Sequence, residues 1–418
     1  MPRSARSRTP VRLARATILV GVLSCLVGCG GCSPTYVARS AYEEGRILLA
    51  RQSIEGLLAK PELDPETRSK LELVLAIRRF AADDLQLKVG DAYSSFSIVP
   101  PGALLHVVSA AERTRLEPYV WWFPIVGDVD YKGYFELEDA QAEAARLDGE
   151  GFDTYVRPSV AFSTLGWFDD PVLSSWLRAD PVRIAELLIH ELLHRTWYVS
   201  GDTVFNESLA NFVGSVGAIE FFRVHDGPDA PTTQRARAAW AETLVESRQW
   251  SDAVTELKDL YARSAREGRS LDEVLAARAL IFARLQQSKA GRDAAPPPAS
   301  SAAAATAATP SGGAQATATT ASPASGPATP GAATPAAAAS AATPPVPGRR
   351  AAVTLNNAVI LANYAYMRDL GAFDRIYRDS GEDLKQAIAR LRQITADAKD
   401  PFAAVVGAAL PVPAGAER

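Results

Sequence analysis

Ile189-His190-Glu191-Leu192-Leu193-His194 places two histidines four residues apart with a glutamate after the first, and Phe205-Asn206-Glu207-Ser208 follows at short range. On a helix, residues i and i+4 share a face, so His190 and His194 can aim two imidazoles at one metal ion. Glu191 sits about 100° round the helix from His190, within reach of a water on that ion without being a ligand itself. Catalytic zinc takes three protein ligands and keeps a fourth position for water. The third ligand must come from elsewhere. Glu207 is the candidate, with Glu220 and His225 as rivals several turns further along. Asp202 and Asn211 are candidates for orienting the imidazoles or the carboxylate. The plainer reading makes both histidines ordinary residues of a helix. Against it, a His-Glu-His trio in so apolar a helix costs free energy if left without partners, and a buried ion removes that objection.

The elements that must position these groups are legible around them. Asp180-Pro181 supplies an N-cap and an N1 proline, and Ile184, Leu187, Leu188, Leu192 and Trp197 recur at helical spacing. Tyr198 to Asp202 closes this helix, with Gly201 as its C′ residue. Asp202-Thr203 caps a second helix carrying Val204, Phe205, Leu209, Phe212, Val213 and Val216. So short a loop makes the two helices neighbours, antiparallel or steeply crossed.

Upstream, residues 41–87 read as a helical hairpin, its second arm opened by Asp64-Pro65-Glu66. Strand signals follow at Leu104–Val108, Tyr119–Val126, Tyr131–Phe135 and Tyr155–Ser163, with a short helix over Glu138–Leu147. Pro158 makes the last of these an edge strand or a bulge. An edge there suits pairing with an extended substrate as well as a plain sheet margin. The run Thr164 to Pro171 is a turn carrying two large aromatics, either packed under the active helix or walling a cleft. Downstream, helices are expected over Thr232–Glu267, Leu271–Gln287, Ala351–Leu370 and Ala372–Leu391.

The 418 residues are 47% hydrophobic, enough for a sizeable core, and the net charge of -4 argues against a nucleic-acid partner. All 3 cysteines, Cys25, Cys29 and Cys32, lie at the N-terminus, so no disulfide staples the body of the fold and no cysteine zinc site is available to it. Residues 1–28 read as an export signal, with Arg3, Arg6, Arg8, Arg12 and Arg15 ahead of the short apolar stretch Ala16–Val27. Leu26-Val27-Gly28-Cys29 resembles a lipobox, which makes Cys29 the lipidated first residue of a lipoprotein; Val22–Cys25 is a weaker match. An ordinary signal peptide or an anchor helix is the alternative. Acyl chains on Cys29 would hold the protein to a membrane. By resemblance to Gram-negative lipoproteins, Gly30 in place of Asp points to the periplasmic face of the outer membrane. Residues 292–350 are almost wholly Ala, Pro, Thr, Ser and Gly and are expected to be a disordered insert. The division expected is therefore a signal over 1–28, a main domain over 29–291 that carries the candidate metal ligands, the insert over 292–350, and helices over 351–418 that pack back on that domain.

The motifs Ile189–His194, Tyr198–Ser208 and Ser163–Leu173, together with Tyr131–Phe135 and Asn356-Asn357, resemble those of the bacterial putative aminopeptidase lipoprotein family. Its members are H-E-x-x-H proteins similar to the gluzincins, zinc peptidases whose third ligand is Glu. The resemblance runs from Cys29 to about Ile388, leaving out the insert. It implies a mostly helical α+β fold, with a zincin-like core in which a small sheet packs on the H-E-x-x-H helix and further helices stand before and after. It also implies a zinc-dependent hydrolase acting on peptides, with His190, His194 and Glu207 as ligands and Glu191 as general base. A cysteine pair flanks the Phe-Pro turn in relatives; here Trp122 and Asp128 take those places, so that disulfide is lost.

In such a hydrolase the ion acidifies a water and polarises the carbonyl while Glu191 carries the proton to the leaving amine. Tyr364, Tyr198 and His225 are candidates for the oxyanion donor. No separate carboxylate announces a grip on a free amine, so both exopeptidase and endopeptidase activity stay open. The other classes are an envelope lipoprotein with a structural or vestigial zinc site, acting as a binding or assembly factor, and a non-peptide metallohydrolase.

Overall fold

The computed structural model describes residues 42–43, 45–100, 105–123, 127–159, 169–293 and 353–409. The export signal, Cys29, nearly all of the 292–350 insert and the turn residues Thr164–Phe168 lie outside the described residues. The elements run β1 (Gln52–Ser53), α1 (Ile54–Leu58), α2 (Pro65–Asp83), β2 (Ser95–Ser97), β3 (Leu105–Glu112), β4 (Trp121–Phe123), β5 (Gly127–Val129), β6 (Tyr131–Tyr134), α3 (Leu137–Gly149), β7 (Phe152–Ser159), β8 (Val172–Leu173), α4 (Pro181–Thr196), α5 (Thr203–His225), α6 (Pro231–Glu267), α7 (Leu271–Asp293), α8 (Asn357–Met367), α9 (Leu370–Asp379), α10 (Leu384–Thr395) and α11 (Pro401–Ala409). The fold is mostly helical with small sheets, an α+β arrangement.

Helix α4 begins where Asp180 accepts hydrogen bonds from Val182 N (3.0 Å) and Arg183 N (3.3 Å), with Pro181 in the first turn. It stops at Trp197, whose backbone is extended, so Gly201 is not its C′ residue; Gly201 instead serves the following loop, at φ +81°. Asp202 then caps α5 by accepting from Phe205 N at 3.0 Å. Every residue of α5 from Phe205 to Phe222 is buried. A helix enclosed on all sides has no polar face to display, which is why its apolar stripe alone understates it. Around it stand α4, α6, α8, α9 and α10.

Two glycines set how closely α4 and α5 approach. A Cβ on Gly214 would lie 2.6 Å from Glu186 O and 3.2 Å from His190 Cβ, and one on Gly217 would lie 3.0 Å from two Ile189 carbons. Only a residue without a side chain fits such a crossing. Along the contact the helices run in opposite directions, with Gly214 against Glu186 and His190, and Glu207 against His190 and His194.

The larger sheet has the order β6-β3-β7, antiparallel throughout. Pro158 sits in the edge strand β7 opposite His106, where a missing N–H does not break an inner ladder. One face, through Val108 and Ala110, packs on Ala140, Ala144 and Leu147 of α3. Register puts Tyr131, Arg157, Asp153 and Tyr155 on the other face, beside Leu105 and Val107. The sheet expected on the H-E-x-x-H helix instead has α8 as its helix on this inner face, and joins the α4–α5 core through Leu105 and Val107. The cause lies in β7 itself. Asp153 Oδ2 accepts from Asn357 N at 2.9 Å, a carboxylate at the N-terminus of α8, and Thr154 O accepts from Asn356 Nδ2 at 2.8 Å. Arg278 closes the cluster, donating to both Asp153 oxygens at 2.6 and 3.0 Å. Asn357 also accepts from the Tyr261 hydroxyl and donates to Glu112 O.

A second small sheet, β1-β2-β8, went unforeseen, because strands of two or three residues carry no periodicity. Its β1 also interrupts the expected first arm of the N-terminal hairpin. Likewise the expected helices over 351–391 are broken where Asp369 (φ 48°) and Glu382 (φ 57°) take left-handed backbone.

Candidate metal centre

His190 and His194 project from adjacent turns of α4, and Glu207 from the second turn of α5. Asn206 fixes that turn by accepting from Val199 N (2.8 Å) and donating to Val199 O (2.7 Å), clamping the interhelical loop one residue before Glu207. The Nε2 atoms of His190 and His194 are 3.1 Å apart, and Glu207 Oε2 lies 3.3 Å from the first and 3.6 Å from the second. All three residues are buried. Zinc bound at 2.0–2.2 Å in a tetrahedron holds its ligand atoms about 3.3 Å from one another. The three atoms already stand at that separation, so the donor set and spacing suit one such ion. Burial holds His190 below the usual histidine range, which favours the neutral, ligating imidazole. Burial would raise Glu207, but its histidine neighbours, His194 first and then His190, at 3.6 and 3.3 Å, outweigh it and bring the carboxyl to about 2.

Beside this trio Glu191 is 2% exposed, and neither of its carboxylate oxygens has a hydrogen-bond partner among the described residues. Burial first, then the charges of Glu207 and Asp170, push its pKa well above the usual carboxylate range. A buried carboxylate with nothing to bind is costly unless a task retains it.

Of the other sequence candidates, few reach the centre. Glu220 accepts from Leu384 N at 2.8 Å, and His225 pairs with Asp226 at the exposed end of α5; neither is a third ligand. Asp202 is spent on its cap, and Asn211 donates to Tyr366 O at 2.7 Å rather than to an imidazole, although it borders the same small cavity as His190. Tyr364 belongs to the cluster around α6 and α7, and His225 is remote, so only Tyr198 of the three proposed oxyanion donors stands at the centre, edge-on to His194 with ring centroids 6.4 Å apart. Trp122 and Asp128 oppose one another directly across β4 and β5, as a linked pair would.

Sequence reasoning missed Tyr366, which stacks on His190 (6.4 Å, 24°) and is held there by hydrogen bonds from Asn211 to its carbonyl and from Ser208 to Ala365 O. It also gave Tyr131 and Arg157 no role at the site. Burial and the Glu207 charge keep the Tyr131 and Tyr366 phenols well above their usual range, hence protonated, and the charge of Arg157 acts on both. Nothing in the local pattern singles out Tyr366 over Tyr364, because α8 is apolar on every side.

A family model described as "Putative aminopeptidase" matches residues 35–303. No curated protein and no solved structure matches the chain.

Proposed function

Because the chain belongs to the putative aminopeptidase family, whose model covers more than half of it, we propose that it is a zinc-dependent peptidase of the Glu-ligand H-E-x-x-H class, with a zincin-like core and aminopeptidase activity. What supports this most is one juxtaposition: three ligand atoms spaced 3.1–3.6 Å apart beside a buried carboxylate that has no hydrogen-bond partner among the described residues. His190, His194 and Glu207 would hold the ion. Zinc there supplies Lewis acidity, lowering the pKa of water toward neutrality and polarising the scissile carbonyl. Glu191 takes the proton of the attacking water and delivers it to the leaving amine. The Tyr366 and Tyr198 phenols, kept protonated by burial and by Glu207, donate to the oxyanion that develops on the carbonyl. Buried Arg157 acts on the Tyr131 and Tyr366 phenols in the sense opposite to Glu207.

Metal analysis of the purified chain should return about one zinc per chain, and a peptide-library digest read by mass spectrometry should show cleavage that Glu191→Gln abolishes while leaving zinc content intact. Equal activity of variant and parent on every peptide would leave the centre a structural or vestigial one in a binding protein. We also propose, from the lipobox reading of Leu26–Cys29, that Cys29 carries the lipid and tethers the enzyme to the periplasmic face of the outer membrane. No helix among the described residues is long and apolar enough to cross a membrane. Globomycin-sensitive processing with membrane fractionation tests the tether.

A further inference from the structure

Glu186 and His190 stand one turn apart on α4, and Asn211 and Ser215 one turn apart on α5, at the close crossing set by Gly214. With Arg183 and Leu187, these four side chains line one small cavity. Each of the four keeps a polar atom without a hydrogen-bond partner among the described residues. His190 turns Nε2 to the ligand trio, which leaves Nδ1. Asn211 donates its amide nitrogen to Tyr366 O, which leaves Oδ1. Glu186 Oε2 accepts from Arg183 at 3.1 Å, which leaves Oε1, and Ser215 Oγ makes no hydrogen bond among the described residues. His190, Asn211 and Ser215 are 4, 7 and 5% exposed, so bulk solvent does little for them. Four such atoms around one space call for a common partner.

Donors and acceptors decide what that partner is. With Nε2 given to a metal, His190 Nδ1 carries the proton and can only donate, which excludes a cation. Asn211 Oδ1 and the Glu186 carboxylate accept, which excludes an anion. A water accepts from His190 and Ser215, donates to Glu186 and Asn211, and so makes four hydrogen bonds in a space of about its own size. Resting on the zinc reading above, we propose that this cavity binds one water linking His190 Nδ1 to Glu186, and that Glu186 is thereby a positioning residue for the metal ligand. Asn211 does not bond the imidazole directly, because its amide nitrogen is spent on α8. A hydrogen bond from Nδ1 fixes the ring and makes Nε2 a more basic ligand.

Zinc affinity of the full-length chain, measured by chelator competition, tests this relay without turnover. Glu186→Gln keeps the size of the side chain, but its oxygen must stay with Arg183, so the amide turns a donor toward the water. Ser215→Val fills the water's place. Each should weaken zinc binding by about 10- to 100-fold, as loss of a supporting contact does, and denaturant melts of the metal-free chains report whether the variants fold. Because both changes act on one water, the double variant should lose no more than Ser215→Val alone, whereas independent contacts would add. A crystal structure of the zinc-loaded parent should show the water within hydrogen-bond reach of all four atoms. Parent-like affinity in Glu186→Gln, additive losses, or a cavity without that water overturns the relay while leaving the zinc peptidase reading standing. If Ser215→Val does not fold, Glu186→Gln and the crystal structure decide. A parent chain that binds no zinc removes both readings.

Discussion

Replacing Gly214 by alanine tests whether the metal centre depends on the closeness of α4 and α5. The new Cβ would meet Glu186 O at 2.6 Å, whereas ordinary contact begins at 3.4 Å, a shortfall of 0.8 Å (3.4 − 2.6). The obstructing atom is backbone, so no rotamer relieves it and the helices must part. Glu207 lies seven residues (214 − 207) along α5, about 10 Å at 1.5 Å per residue, and rides on the displaced helix. Zinc sites tolerate errors of about 0.2 Å, so the displacement should weaken metal affinity by about 10- to 100-fold, as loss of a supporting contact does. Overpacking of this kind costs about 1–3 kcal/mol, against a gain of about 0.5–1 kcal/mol for removing glycine from a helix. The net is a loss of stability. Exposed Gly371 in α9, with nothing within 4 Å of an added Cβ, supplies the control in which only the gain operates. Denaturant melts and chelator competition for zinc read both quantities. A Gly214→Ala protein that is stabilised like Gly371→Ala and binds zinc as the parent does would refute the close-packing account.

Further outcomes concern the chemistry. Glu191 must be deprotonated to accept a proton, and burial with the charges of Glu207 and Asp170 raises its pKa; kcat/KM should therefore fall as pH drops through a single acid limb. Asp170→Asn removes one of the raising charges and should move that limb to lower pH, and an unmoved limb sinks this electrostatic account. Tyr366→Phe should lower kcat by about 10²–10³-fold, the usual cost of one oxyanion donor, with zinc content unchanged, while Tyr364→Phe stays near the parent. Equal effects from both tyrosines would remove Tyr366 from the reaction.

The ligand-bearing helix was legible because three independent local signals coincide there: a capping Asp180, an N1 proline, and polar groups at metal spacing in an apolar stretch. The approach of Glu207 to both histidines was legible from a different signal, a glutamate at the opening of the next helix after a short loop. What sequence could not supply is contact between distant segments. Asn211 has the right chemistry to orient an imidazole, yet its amide serves the Tyr366 carbonyl 155 residues away. Tyr364 and Tyr366 are two residues apart on a helix without a polar side, so no pattern tells which one faces His190. Tyr131 and Arg157 come to one face of the sheet only through strand register, which is set by pairing across the sheet and not by either residue's neighbours. The Asn356-Asn357 pair was noticed in the sequence, but its work in joining α8 to Asp153 and Thr154 emerges only when β7 is placed beside it.

The attachment of α8 to β7 and α5 also bears on where this chain can be cut. The stretch matched by the family ends at residue 303, after both histidines and Glu207. A truncation drawn there keeps His190, His194 and Glu207 yet strips Phe373 from Phe212, Phe402 from Phe205 and Tyr366 from His190. It also leaves the Asp153 carboxylate without the Asn357 amide. Such a fragment would hold that His-His-Glu cluster beneath a bared aromatic surface, so the boundary that marks the shared sequence is no guide to the smallest piece worth expressing.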